Sequence, residues 1–359
     1  MGLHELTLRS FRPFDEFILR PDPGAVTVLM SPNGTGKTSV LEAVYALATA
    51  SSFRTTTASD MIKTHRDLAE VHGILFQEER RVQVDLTLHR GVRNTTKRML
   101  VNGQRPTSRA ALAEVLPVTV FTPEGVDVIR HGPDQRRNLL TNLLTDVTPR
   151  LSEVVERFAR VLQQRNAWLR ARQGSPLSSS QREELEVWDG EFCAAGELLV
   201  DARCDLLRRI SPLITHYYRE LSQDESLISV TYERSWSGDM RSALRLAAID
   251  DNYRGYSTIG PHRDDIAILL DERDTRRQAS QGEQRSLALA LRLGGHELVR
   301  QERGLTPLLL LDDVFSELDP VRSDRLLHLL PAGQTLVTTA SPLPRAMEPA
   351  VVIDVTVAR

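Results

Sequence analysis

Hydrophobic and polar positions change their spacing twice along this chain. In the first 125 residues the pattern is that of strands around one helix. Leu6 and Leu8 alternate with polar neighbours, and Phe17 to Leu19 is a second short apolar run. Val26-Thr27-Val28-Leu29-Met30 is continuously β-rich, as a strand buried on both faces would be. It meets a glycine-rich stretch and then Val40, Leu41, Val44 and Leu47 at helical spacing. Val71 to Phe76 and Val82 to Leu88 predict two further strands. Asn102-Gly103, within Arg98 to Arg105, is a type I′ hairpin signal.

The middle of the chain reads as helical. Leu151, Val154, Val155, Phe158, Val161, Leu162, Trp168 and Leu169 form one stripe. A break falls at Gln173 to Ser180. Leu185, Trp188, Phe192, Ala195, Leu199, Ala202 and Leu206 then recur at three- and four-residue steps. An antiparallel helical hairpin is the simplest picture, with or without a supercoil. The last quarter returns to α/β patterning. It predicts a helix over Glu283 to Arg300 and buried strands at Leu308 to Leu311 and Thr335 to Thr339.

Composition narrows the class. The 359 residues are 41% hydrophobic and 26% charged, an ordinary globular profile. No apolar run is long enough for a bilayer span, and MGLHELTLRSF is not a secretory leader. A cytoplasmic protein with no membrane partner is expected. Cys193 and Cys204 then read as buried free thiols. A net charge of −3 excludes a generally basic nucleic-acid binder, so any DNA contact needs a local patch.

Chemistry enters at Ser31-Pro32-Asn33-Gly34-Thr35-Gly36-Lys37-Thr38, between a predicted strand and a predicted helix. That is the setting of a P-loop. Glycines let backbone N–H groups wrap phosphate oxygens, and the helix N-terminus adds partial positive charge. Lys37 would reach the β- and γ-phosphates of ATP, the Thr38 hydroxyl would ligate Mg²⁺, and Ser39 completes the motif. Ser31 stands where the usual pattern has glycine, which is compatible if its φ is negative. Leu308 to Leu311 runs into Asp312-Asp313, a Walker B arrangement. Asp312 would hold Mg²⁺, and Asp313 would orient or deprotonate the attacking water. An Asp where many ABC ATPases have Glu predicts slow hydrolysis.

Ser280-Gln281-Gly282-Glu283-Gln284 resembles the ABC signature. Ser280 and Glu283 also match a capping box, and the two readings are compatible. A capped helix tip with Gly282 presents N–H groups to an anion, with Ser280, Gly282 and Gln284 as candidate contacts. In ABC ATPases that anion is the γ-phosphate held by the other subunit. Ser316-Glu317-Leu318-Asp319 resembles the D-loop of the dimer seam. Lys37, Asp313 and Ser280 are the catalytic candidates of such a composite site.

The signature begins about 240 residues after Lys37, with a helical stretch between, as in the SMC and RecF branch of ABC ATPases. Several blocks make the resemblance to the RecF family specific. They are Thr35 to Ala43 with Ser52-Phe53-Arg54-Thr55, and Phe121 to Gly125 with Gly132-Pro133 and Arg136-Arg137. Gln164-Arg165-Asn166, Gly260 to Asp265, and the Walker B and D-loop segments complete them. The resemblance implies an α/β ABC-ATPase head made of residues 1–125 and 256–359, with 126–255 inserted as a helical arm like a truncated SMC coiled coil. It implies an ATP-dependent homodimer, weak DNA-dependent ATPase activity, and binding to double-stranded and gapped DNA. It also implies work with RecO and RecR in loading RecA onto SSB-coated gaps, with links to replication restart and the SOS response. Two features depart from the wider ABC pattern. Thr338-Thr339-Ala340 holds no switch histidine, and Glu124, not an assigned glutamine, stands near the Q-loop position.

For DNA contact, Leu86 to Ala113 contains no acidic residue but holds Arg90, Arg93, Lys97, Arg98, Arg105 and Arg109. Arg157, Arg160, Arg165, Arg170 and Arg172 form a second such stretch. Either would neutralise phosphates, or would be a solvated face. The competing classes are a transporter ATPase subunit, a long-armed SMC-like bridge, and a nucleotide-binding scaffold without turnover. The first needs a short P-loop-to-signature gap and a switch histidine. The second needs far more heptads.

Overall fold

The computed structural model describes residues 2–355 apart from 78, 79, 93, 341 and 345, and leaves the side chains of 109, 110 and 317 aside. The chain forms two compact units. The first comprises 1–125, 216–224 and 289–359; the second comprises 126–215 and 225–288.

The first unit is built on two sheets and the helix between them. One sheet is antiparallel, in the order β2 (Phe14–Leu19), β1 (Gly2–Phe11), β4 (Leu68–Gln77), β5 (Arg80–Arg90), β6 (Thr95–Val101). The other is parallel throughout, in the order β13 (Val351–Asp354), β3 (Val26–Met30), β12 (Thr335–Thr339), β11 (Leu308–Asp312), β7 (Val118–Phe121). Every residue of β11 and β12 is buried, which explains the apolar run of β11 and the β-branched, non-alternating pattern of β12. Helix α1 (Lys37–Thr49) packs on strands of both sheets. Its burial is nearly all-round, the state expected of a helix without a polar face. The fit is tight at Gly73 of β4, where an added Cβ would come 2.7 Å from Leu47 Cδ1. Leu6, Leu8, Leu41, Val44, Leu47, Val71, Leu310 and Leu336 form part of one continuous core. Helices α2 (Arg109–Val115) and α10 (Pro320–Leu329) also belong to this unit.

The second unit holds α3 (Asp127–Arg130), α4 (Pro133–Val147), α5 (Ser152–Arg170) and most of α6 (Ser179–Ser222). From the start of α5 to its end, the α6 partners fall from Glu191 and Phe192 to Glu184. Arg157 reaches Glu191, Phe158 packs at a tilt against Phe192, Arg165 pairs with Asp189, and Trp168 donates to Glu184. The hairpin is therefore antiparallel. The stripe from Leu185 to Leu206 faces its core and continues through Ile210 and Ile214. A three-stranded sheet, β8 (Ile228–Glu233), β9 (Asp265–Leu270) and β10 (Arg273–Asp274), was not anticipated in this region. Burial alternates along β9 from Asp265 to Leu270, as on a strand with one covered face. Helices α7 (Met240–Arg254), α8 (Thr275–Gln278) and the start of α9 (Gln281–Arg303) complete the unit.

Residues 256–288 thus group with the second unit, not with the head segment 256–359 expected from the sequence. The reason is pairing: β9 bonds to β8, and α4 packs on β9. Among the described residues no helix is long and apolar enough to cross a membrane. Cys193 and Cys204 are free thiols; Cys193 is buried, which pushes its thiol up to about 11, whereas Cys204 is only partly buried.

Arg165 is the largest fully buried side chain and ties the second unit together. It bonds to Asp189, to Asp251 at 2.7 Å and to the Ser257 hydroxyl at 2.7 Å. Arg165→Met should destabilise the protein by about 3–5 kcal/mol, because it strands two buried carboxylates. Urea unfolding of the variant against wild type measures this.

Candidate nucleotide site

The site grows from the junction of β3 and α1. Ser31, directly after β3, is buried and does not adopt a positive φ, so its side chain fits the place usually given to glycine. Gly36 has φ +110°, and a Cβ there would lie 2.7 Å from the Phe14 ring. Only glycine fits that position. Gly34 is also left-handed, while Pro32 and Asn33 are exposed. Helix α1 has no side-chain cap at Gly36, which leaves its first N–H groups for an anion. Lys37 is buried and donates through Nζ to the Ser31 carbonyl at 2.5 Å and the Pro32 carbonyl at 2.9 Å. Burial pulls its ammonium below the usual lysine range, and Asp313 and Asp312 act in the other direction. Ser39 is buried, and its N–H is taken by the Gly36 carbonyl at 2.9 Å.

Asp312 ends β11 and brings three elements together. Its Oδ1 accepts from the Thr38 hydroxyl at 2.8 Å and from the Thr338 hydroxyl at 2.7 Å. Burial raises its pKa, against the pull of those two hydroxyls. Thr338 was not anticipated as a site residue. It lies on β12, between the strands that carry the two motifs, and its hydroxyl also accepts the Asp313 N–H at 3.0 Å. The threonine found where a switch histidine is absent thus acts as a fastener for the two acids. Asp313 has φ +47°, and its Oδ1 is buried without a hydrogen-bond partner. A buried, unpaired carboxylate oxygen beside a P-loop is a site prepared for a polar ligand or water. Glu124 follows β7, whose Phe121 pairs with Leu311, and its charge contributes to the raised pKa of Asp312.

Glu42, on α1, is completely buried. Arg12 grips it with two bonds of 2.7 and 2.5 Å, the Ser52 hydroxyl donates at 2.5 Å, and Arg54 reaches it at 3.4 Å. Arg54 remains 42% exposed and lies close enough to Asp312 to lower its pKa. Glu42 therefore fixes the 52–54 turn beside the motif residues, a role hidden in sequence because it looks like one more polar helix position.

The signature segment lies in the second unit. Ser280 is exposed and forms the expected capping box: its N–H donates to Glu283 at 2.6 Å, and its hydroxyl accepts the Glu283 N–H at 3.2 Å. Burial would raise the Glu283 carboxyl, but the Ser280 bonds and Arg273 hold it below its usual value. The Ser280 hydroxyl proton is still available to donate. Gly282 is half-buried. Gln284 departs from expectation. It is buried, its Oε1 accepts from Arg130 at 2.8 Å, and its Nε2 donates to the Thr275 carbonyl at 3.1 Å. Its amide is committed to packing the helix start and is not presented to a ligand.

The basic stretch does not form one face. Arg93 and the Arg109 side chain lie outside what is described. Leu88 pairs with Lys97 and Thr87 with Arg98, so these two cations point to opposite faces of the antiparallel sheet. Lys97 donates to the Ala50 carbonyl, and Arg90, on the same face, to the Ser59 carbonyl. Arg98 and Arg105 are exposed. The face carrying Arg98 also carries Asp85, and Glu70 pairs opposite Thr87. An acid-free window in sequence thus acquires acids from neighbouring strands. The second stretch fails as a free patch because Arg165 is fully buried, and Arg157 and Arg172 pair with Glu191 and Glu184.

Comparison with known proteins places this geometry. The family described as "RecF/RecN/SMC N terminal domain" matches residues 2–348. A protein named "DNA replication and repair protein RecF" from Acidothermus cellulolyticus is 35% identical over 95% of this chain and 94% of its own length. The chain belongs to the RecF family. A RecF relative of the same name from Streptomyces avermitilis is 33% identical over 95% of this chain and 94% of its own. A solved RecF, described as "recombination mediator protein RecF-ATPrS in RecFOR pathway", matches with a TM-score of 0.86 at 25% identity, covering 99% of this chain and 96% of that one. An SMC head bound to the C-winged helix domain of ScpA matches with a TM-score of 0.52 at 16% identity, covering 98% and 96%, a likeness of fold. The fold class is that of the RecF and SMC heads, an α/β ABC-ATPase head with a helical arm.

The sequence blocks that carried the RecF resemblance meet one another within each unit. Arg136 forms a two-pronged pair with Asp265 at 2.7 and 2.8 Å, and Arg137 donates to the Asp264 carbonyl. Asn166 accepts from the Ser257 N–H and hydroxyl. These blocks are structural ties of the arm, whereas the P-loop and Walker B blocks gather the polar groups of the head. Glu42→Ala should cost about 3 kcal/mol, since it leaves the half-buried Arg12 without a counter-charge. It should also release the 52–54 turn. Thermal unfolding and limited proteolysis at that turn test both effects.

Proposed function

We propose that this chain is an ATP-dependent DNA-repair switch. ATP is held by the 31–39 loop of one copy and contacted by the Ser280 helix tip of a second, so that nucleotide favours a homodimer. The observation that carries this reading is the convergence of Lys37, Thr38, Asp312 and Asp313 at one edge of the parallel sheet. Thr38 and Asp312 offer the hard oxygen donors that suit Mg²⁺, with nucleotide and water completing its shell. When bound, the metal neutralises phosphate charge. Lys37, already anchored on two carbonyls, orients the phosphates. Asp313, with its unpaired Oδ1, accepts a proton from the attacking water or aligns it. Ser280 can donate its hydroxyl proton while it caps α9. The resulting activity is a weak, DNA-stimulated ATPase.

The named relatives and the RecFOR description of a solved RecF support a biological role in recombination. In that role the dimer binds duplex and gapped DNA in the cytoplasm. With RecO and RecR it promotes RecA loading on SSB-coated gaps, in service of replication restart and SOS induction. DNA contact is of the backbone kind and salt-sensitive. Arg90, Lys97, Arg98 and Arg105 are exposed members of the proposed patch, the first two bonded to backbone carbonyls.

Light scattering on gapped duplex DNA tests the core of this reading. ATP, but not ADP, should double the subunit mass. Lys37→Ala should weaken ATP binding by roughly tenfold or more, the scale of a lost charge-assisted contact. Ser280→Arg should leave ATP binding to the monomer intact and abolish the dimer. A dimer that forms equally with ADP, or survives Ser280→Arg, refutes the composite site.

A further inference from the structure

The hydroxyls of Ser31 and Thr35 face one another across the loop and form a hydrogen bond. The direction of this bond follows from proton count. Thr35 spends its single hydroxyl proton on the Pro32 carbonyl at 2.9 Å, so Ser31 is the donor to Thr35. The Pro32 carbonyl also accepts from Lys37, as does the carbonyl of Ser31 itself. The four residues therefore close a circuit. Ser31 donates to Thr35, Thr35 to the Pro32 carbonyl, and the lysine ammonium to the Pro32 and Ser31 carbonyls. A glycine at position 31, the usual P-loop residue, would leave this circuit open. Ser31 is buried, so its hydroxyl is shielded from competing water.

We propose that Ser31 and Thr35 are positioning residues that staple the phosphate loop shut around Lys37 before any nucleotide arrives. The staple rests on the reading of this loop as the ATP site. It adds that this chain meets part of the ordering cost of binding in advance. Because the link lies at the base of the loop, it serves ATP and ADP alike and does not act in the chemical step. Its loss changes affinity and KM, while kcat at saturating ATP stays level.

The test has two arms on the full chain. In the nucleotide-free protein, hydrogen exchange of the 33–37 amides should speed up by about three- to tenfold in Ser31→Ala and in Thr35→Val. Thr35→Ser, which keeps the hydroxyl, should restore slow exchange. In the second arm, titration with a fluorescent ATP and a fluorescent ADP should show each single variant weakened about fivefold for both. The double variant Ser31→Ala/Thr35→Val should be no weaker than either single, the mark of a shared interaction. Unchanged exchange, additive losses in the double variant, or a fall in kcat would each overturn the staple. If wild type takes up neither nucleotide, the reading of the site falls, while the exchange arm still decides whether the loop is stapled.

Discussion

One carboxylate sets the geometry on which the head depends. Asp312 accepts from Thr38 and Thr338 at once, so the start of α1 and the ends of β11 and β12 are fixed to a single atom. The cost of burying that charge shows in its raised pKa and is offset by the two hydroxyls that hold it. Parallel strands bring their C-terminal ends to one edge, and the helix after β3 begins at the same edge. The polar groups of the site converge because of this topology. The apolar side chains of α1, packed on both sheets, prevent the helix from sliding out of register with them.

The second unit is held by a different kind of interaction. Its helices are tied by arginines that reach buried or half-buried carboxylates, Arg165 to Asp189 and Asp251, and Arg136 to Asp265. Such pairs contribute little net stability when complete, yet cost much when one partner is lost. They specify which elements meet, α5 with α6 and α7 at Arg165 and α4 with strand β9 at Arg136. This accounts for blocks such as Arg136-Arg137, Arg165-Asn166 and Asp264-Asp265 within the second unit.

Much of this was legible in the sequence because local physics determined it. The strands Val26–Met30 and Thr335–Thr339 fall where their apolar runs predict them. The capping box at Ser280 and Glu283 forms as its spacing implies. What could not be read were effects that arise across strands and between distant segments. Lys97 and Arg98 are adjacent in sequence and opposite in space. Arg165 looked like one cation of a basic helix until Asp251, 86 positions away, was brought beside it. Gln284 seemed free to reach a ligand, but Arg130 and Thr275 engage both ends of its amide. Thr338 carried no motif of its own, and only its place on β12 gives it a role.

The left-handed backbone at Asp313 bears on the choice of acid there. At φ +47° the short Asx side chains are tolerated far better than longer ones. Glutamate, the usual acid of this position in ABC ATPases, would extend the reach of the carboxylate but carry a conformational penalty. The backbone thus favours the shorter acid. A slow turnover would then be a property of main-chain shape, and side-chain exchange at this one residue would not simply convert a timer into a motor.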